Sequence, residues 1–194
     1  MKPSSRVAVL SCLLLSSAGV FCQGVGDRGL LMGFNTSSFW GSESTLKHSA
    51  YMPGMSIGFF QEFHLNSHLI LGPEITFTTK GSRVQTVGDL YLHQVLTYME
   101  IPLLANYVIN PKGGSRVFLF TGPGFDMLLL AFNEVGFPED IARFDVGAIL
   151  GIGIRWNKMR IRFHMNQGLL DLDQSNMETN VKNRTFSFAI GLSF

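Results

Sequence analysis

The chain has 194 residues, of which 46% are hydrophobic and only 15% are charged, and it contains 17 Phe and 21 Gly. The charged fraction is well below the quarter that is usual in soluble globular domains. The formal net charge of +1 at pH 7 excludes the strongly basic field that nucleic-acid-binding domains carry, so no nucleic acid partner is expected.

Residues 1–22 have the pattern of a cleaved signal peptide. Lys2 and Arg6 form a short positive region, and the apolar run VAVLSCLLLSSAGVF follows them. Such a segment directs export and is too short for a convincing membrane-spanning helix. Cleavage is expected near Cys22, which leaves residues 23–194 as a mature domain without cysteines. No run of eighteen apolar residues follows, so a membrane-embedded part has to be built from strands.

Large apolar residues occupy every second position in segment after segment of the remaining chain. The clearest cases are RFDVGAILGIGIRW (143–156) and RTFSFAIGLSF (184–194). Period-two alternation is typical of a β-strand with two unlike faces. Eight strands are predicted, at residues 29–39, 54–65, 69–81, 97–107, 117–130, 143–156, 160–169 and 184–194. The segment 117–130 is apolar on both faces, so the sequence leaves its orientation open.

The two faces of these strands differ in chemistry, which decides between two kinds of barrel. One face is made of Phe, Leu, Ile and Met, whereas the other combines glycines with full charges. A secreted soluble barrel of the lipocalin type would bury the apolar face. The apolar faces of eight strands are too extensive to be buried when no helices are available to cover them. The interior of an eight-stranded barrel is just wide enough to be filled by side chains, which suits the face of glycines and charges. The sequence therefore predicts an all-β, eight-stranded antiparallel up-and-down transmembrane β-barrel with its apolar face towards lipid. The charged residues predicted to point into the lumen are Glu62, Glu74, Lys80, Glu100, Asp145, Arg155, Arg160, Arg162 and His164.

The connections between the strands are predicted to alternate in length. Long ones are expected near residues 39–52, 81–96, 131–142 and 170–181, with short turns between them. Outer-membrane barrels have long external loops and short periplasmic turns, so this pattern favours the outer membrane. Aromatic residues expected at the two membrane interfaces are Trp40, Tyr51 and Tyr91 near the long loops, and Tyr107, Trp156 and Phe194 near the short turns.

Several segments in their order resemble the small outer-membrane β-barrels of Bacteroidetes, the PorT-like or "porin family" barrels. The matching pieces are GFNTSSFWG, PGMSIGFFQEF, LGPEITFTTKGS, YMEIPLLANY, FTGPGFDMLL, FDVGAILGIGI and NQGLLDLD. The resemblance implies an eight-stranded outer-membrane barrel. A few members of that family are linked to protein secretion and gliding machinery. The closing strand also resembles that of outer-membrane proteins in general, which implies that the barrel assembly machinery recognises its terminal aromatic, Phe194. Expected partners are therefore outer-membrane lipid, the assembly machinery and a protein bound at the loops or turns.

The charged lumen has two interpretations, a salt-bridged plug or a narrow pore for ions or small polar solutes. The plug is favoured, because unpaired buried charge is costly and pairing fills the bore. A weaker alternative is a lipid A-modifying enzyme, since FHMNQG places His164 as in the His-x-Ser-Asn stretch of lipid A deacylases. Asn166 stands at the nucleophile position there, and an amide cannot replace a serine. No enzyme activity, cofactor or metal site is therefore expected.

Overall fold

The fold is known from a computed structural model, which describes residues 25–41, 49–85, 91–112, 114–133, 142–172 and 181–194. The predicted signal peptide, residues 1–22, lies outside the described residues. No helix among the described residues is long and apolar enough to cross a membrane. The described strands are β1 (Val25–Gly41), β2 (Ser49–His64), β3 (Leu69–Gln85), β4 (Tyr91–Val108), β5 (Ser115–Asn133), β6 (Phe144–Trp156), β7 (Met159–Gly168) and β8 (Val181–Ser193).

These strands form a closed barrel in which each strand pairs with its neighbours in the sequence. All pairs are antiparallel, and β8 closes the barrel against β1, from Gly29 opposite Ser193 to Gly41 opposite Val181. Closure removes both sheet edges, so no row of backbone donors and acceptors is left unpaired. The predicted eight-stranded antiparallel fold, including its closing strand, is confirmed.

The outside wall of the barrel is apolar, as the alternation predicts. Phe144 is 64% exposed, Ile152 48%, and Leu192 57%. On the other face of β6, the strand of Phe144 and Ile152, Asp145 and Arg155 are only 4% and 8% exposed. A barrel of the lipocalin type would show the opposite distribution, so that alternative is wrong for this chain.

The segment with two apolar faces, β5, combines aromatic residues that point inward with a bulge near its end. Thr97 pairs with Leu130 and Tyr98 with Leu128, so Leu129 is an additional residue in β5. A bulge shifts the side-chain alternation by one position. Before it, Phe118 and Phe120 point into the barrel, which gives β5 apolar residues on both sides.

The predicted connections are too long, because the strands continue past the apolar pattern. β3 extends to Gln85 and β4 begins at Tyr91, whereas a connection was expected over 81–96. The first and third long connections shorten likewise, to residues 42–48 and 134–143. Strand pairing needs only backbone groups, so the ladder persists where side chains no longer alternate. As a result the connection 86–90 is shorter than the turn 109–114, and the strict alternation of lengths is wrong.

Two apolar clusters lie inside the barrel, which the sequence did not predict. The first contains Phe39, Leu96, Tyr98, Ala131, Ala142 and Leu172 at the end where β1 leads to β2. The second contains Ile70, Leu104, Val108, Phe118, Phe120 and Ile149 on the side of β3 to β6. The bore is therefore filled by apolar packing as well as by charges.

Candidate functional site

The charged residues of the lumen gather in three clusters stacked along the barrel axis. The lower cluster lies beside the turn between β6 and β7, the upper cluster lies towards the opposite end, and a single ion pair lies between them. The lower cluster and the single ion pair join strands on opposite sides of the barrel, so these ion pairs cross the bore. The upper cluster joins the consecutive strands β3, β4, β5 and β6 on one side of the lumen.

The lower cluster is built around Glu62 of β2. The tight turn at Asn157, whose φ is 55°, places Arg155 directly opposite Arg160 on the neighbouring strand. Like charges in that position repel. Glu62 reaches across the bore and accepts hydrogen bonds from both guanidinium groups, with 2.5 Å between Arg155 Nη2 and Glu62 Oε2. Asp27 adds a second carboxylate, 3.2 Å from Arg155 Nη1. Glu62 thus neutralises two cations that the hairpin forces together.

The middle of the bore is spanned by the pair of Arg162 and Glu74. Arg162 Nη1 and Nη2 donate to the two carboxylate oxygens of Glu74 at 2.5 and 2.7 Å. This is the bidentate geometry in which guanidinium and carboxylate bind most strongly. The Arg162 guanidinium also lies 5.6 Å from the ring centroid of Phe120, and that of Arg160 lies 3.7 Å from Phe60, contacts in which a ring face attracts a cation.

The upper cluster holds more carboxylates than cations. Lys80 Nζ donates to Asp126 Oδ2 at 2.7 Å and pairs with Glu100 as well. Glu100 also accepts hydrogen bonds from Thr78 at 2.9 Å and from Thr76 at 3.2 Å. Asp145 lies directly opposite Asp126 on β6, and its Oδ1 accepts from the Leu170 amide.

The three carboxylates of the upper cluster are Glu100, Asp126 and Asp145. Among the described residues, no three His, Cys, Asp or Glu side chains are arranged to hold a metal ion. The Oδ1 atom of Asp126 has no hydrogen-bond partner in the described part of the chain. The negative charge of these carboxylates is offset by Lys80 and by hydrogen bonds from Thr76, Thr78 and the Leu170 amide.

His164, the residue considered for lipid A chemistry, lies inside the barrel. Its ring packs edge-on against Phe120, with 5.9 Å between the centroids. The preceding residue on β7, Phe163, points to the opposite face and is 51% exposed on the outer wall. A cavity of about 20 Å³ borders His164 and Asn166, which is roughly the space of one water molecule. His164 thus faces a space that is too small for a lipid and is separated from the bilayer by the wall.

The sequence of residues 27–174 matches the family model described as outer membrane protein beta-barrel domain. The match covers most of the chain. The chain belongs to this family. No curated protein is detectably similar to it in sequence.

Two solved outer-membrane barrels have a similar structure. Neisserial surface protein A superimposes with a TM-score of 0.55 and 11% identity, over 89% of this chain and 100% of that one. OprG from Pseudomonas aeruginosa superimposes with a TM-score of 0.52 and 11% identity, over 87% of this chain and 94% of that one. At such low identity these similarities show only that the two proteins have the same fold as this member of the outer membrane protein beta-barrel domain family.

Membership of this family places the protein in the outer membrane and explains the exposed apolar wall. Aromatic side chains stand on the outer wall near both ends, as expected at the two interfaces. Trp40 and Tyr51 are exposed near one end, and Tyr107, Trp156 and Phe194 near the other, while the side chain of Tyr91 lies outside the described residues. The end with the shortest turn, at Asn157, is by the family pattern the periplasmic end.

Sequence reasoning missed several residues of the lumen. Asp126 was overlooked because the orientation of β5 was open, although it lies opposite Glu100 in the final register. Asp27 was overlooked because β1 was predicted to begin at Gly29. Phe60, Tyr98 and Phe120 have no polar signal, yet their rings lie beside the buried cations. Aromatic residues alternating with charges on one strand face are the signal that could have found them.

Proposed function

We propose that this protein is a closed, non-enzymatic outer-membrane barrel that acts as a structural or interaction module through its loops and turns. The observation that carries the proposal is the filling of the bore. Three charge clusters and two apolar clusters occupy it from end to end. Two cavities lined by described residues of the bore are small, about 20 Å³ around His164 and about 10 Å³ beside Glu62.

A closed bore follows from the energetics of these pairs. Removing one partner of a buried ion pair costs about 3–5 kcal/mol, because the remaining charge stays buried without a counter-charge. An ion that passes through the lumen has to separate Arg162 from Glu74 and displace the side chains around Lys80. Passage by this route is therefore slow on the timescale of channel conduction.

The proposal is tested by conductance in planar lipid bilayers. We expect the wild-type protein to give no reproducible channels, and the double variant Arg162→Ala/Phe120→Ala to conduct, because it removes two of the large side chains that fill the middle of the bore. Both proteins have to run as compact species on gels before boiling, which verifies that the barrel is folded. Reproducible wild-type channels that disappear on changing Arg155 or Arg162 would overturn the proposal in favour of a narrow pore.

An interaction role is supported by the resemblance to PorT-like barrels, a few of which are linked to protein secretion and gliding machinery. We also propose that the closing strand β8 with Phe194, which is 62% exposed, is recognised by the barrel assembly machinery. A photo-crosslinking residue at position 194 is expected to capture that machinery during synthesis, whereas one at Ile152 on the middle of the wall is not. Equal capture from both positions, or no capture from position 194 during synthesis, contradicts this role.

A further inference from the structure

Strand β8 carries two cations on the outer wall near the loop end, Lys182 and Arg184. They alternate with Asn183 and Thr185, which are 4% and 1% exposed and therefore point into the barrel. In the described part of the chain, no carboxylate forms an ion pair with either cation. The nearby Asp171 accepts a hydrogen bond from the Val181 amide through Oδ1 at 2.9 Å.

Among the described residues, the terminal nitrogens of Arg184 have no hydrogen-bond partner. Its Nε donates to Gln167 Oε1 at 2.7 Å, and its guanidinium lies 4.7 Å from the ring centroid of Trp40. These two contacts fix the plane of the guanidinium group. A cation on the lipid side is costly in the hydrocarbon but not at the interface, where Trp is enriched. The group therefore stands at the depth of lipid headgroups, and its fork of donors matches the oxygens of a phosphate.

Below these cations the same wall contains an apolar groove of about 320 Å³ on β8, β1 and β2. Its lining consists of Leu30, Met32, Gly33, Phe34, Met55, Ser56, Phe188, Ile190 and Leu192. Phe34 lies opposite Phe188, and Ser38 lies opposite Arg184. The groove thus begins four residues from Arg184 along the strands, roughly 13 Å at about 3.3 Å per residue. That separation suits the distance between the headgroup and the acyl chain of a single lipid.

We propose that β8, β1 and β2 form a binding site for an outer-leaflet lipid with a phosphate headgroup. Arg184 and Lys182 bind the phosphate, Trp40 packs at the interface, and an acyl chain lies in the groove lined by Phe34 and Phe188. Charge complementarity favours this occupant. An uncharged lipid offers no anion to Lys182 and Arg184. A second copy of the protein that packed through the same face would bring two more cations to them. The site is independent of whether the bore conducts.

The experiment is native mass spectrometry of the full chain in a neutral maltoside detergent with added diphosphorylated lipid A. We expect wild type to retain one lipid molecule and Lys182→Gln/Arg184→Gln to retain it at least tenfold less. The matched control is Arg28→Gln, because Arg28 also lies over an aromatic ring on the outer wall, 5.9 Å from Phe194, but at the opposite end. This control is expected to retain the lipid as wild type does.

A second arm tests the groove and the phosphate separately. Met55→Trp, which fills the groove without changing a charge, is also expected to reduce retention. Lipid A without its phosphates is expected to bind wild type no better than it binds the double variant. The proposal is overturned if the double variant retains phosphorylated lipid A like wild type, if Arg28→Gln loses it equally, or if the dephosphorylated lipid binds wild type as well. Migration as a compact species before boiling verifies that every variant is folded.

Discussion

Replacing Glu62 by Gln is expected to lower the free energy of unfolding by about 3–5 kcal/mol, the cost of removing one partner from a buried ion pair. The substitution keeps the size of the side chain but removes its charge. Arg155 and Arg160 then remain opposite each other on β6 and β7, 8% and 2% exposed, without the carboxylate that holds them together. The measurement is urea unfolding of the barrel in lipid vesicles, followed by the fluorescence of Trp40 and Trp156.

Two control variants separate the loss of this pair from a general loss of charge. Asp27→Asn removes the second carboxylate near Arg155, but the Asp27 side chain is 50% exposed, so we expect a loss of at most about 1 kcal/mol. The triple variant Glu62→Gln/Arg155→Met/Arg160→Met removes the two cations as well and is expected to recover most of the stability. If the free energy of unfolding of Glu62→Gln lies within about 1 kcal/mol of the wild-type value, the Glu62 carboxylate is not what neutralises the two arginines.

Replacing Ile152 by Arg is expected to destabilise the barrel by about 2–4 kcal/mol, the cost of a cation on the lipid face near the bilayer midplane. Ile152 lies in the middle of β6 and is 48% exposed on the outer wall. At an equally exposed position that faces water, the same change would alter stability by only about 0.5 kcal/mol. Urea unfolding in vesicles measures the difference.

The matched control for this variant is Ile109→Arg. Ile109 is as exposed, at 51%, but it follows the last residue of β4 and lies in a turn. We expect its cost to be at most about 1 kcal/mol, since the penalty falls towards the interface. Equal small effects at both positions would mean that the wall around Ile152 is in contact with water.

The sequence was sufficient to predict which face of most strands points to lipid. On β6 and β8 the alternation is nearly unbroken, and a shift by one residue would exchange the two faces along the whole strand. Phe188 and Asp145 therefore had only one arrangement compatible with a bilayer. The same information gave the number of strands and the closure of β8 on β1.

The ends of the strands could not be predicted, because backbone hydrogen bonding extends further along the chain than the alternation of apolar residues. β3 and β4 remain paired up to Gln85 opposite Tyr91, beyond the zone in which the bilayer selects side chains. The bulge at Leu129 was hidden for a related reason. An additional residue leaves no chemical mark when both of its neighbours are leucines.

The pairing of charges across the bore was also beyond the sequence. Which inward residue meets which depends on the stagger of the strands around the barrel, and alternation within one strand does not contain it. Glu62 meets Arg155 and Arg160, whereas Glu74 meets Arg162. The alternation within each strand predicts only that these charged side chains point into the barrel lumen.

The most direct test of the distribution of apolar and charged residues is a spin-label scan along β6 in lipid vesicles. Single cysteines from position 146 to 154, in a chain with Cys12 and Cys22 replaced by Ser, are labelled, and their collisions with oxygen dissolved in the membrane are measured. We expect the collision rate with oxygen to peak at Ala148, Leu150, Ile152 and Ile154 and to fall at the positions between them. A high collision rate with a water-soluble nickel reagent at those four positions, together with a low rate for oxygen, would contradict a wall that faces lipid.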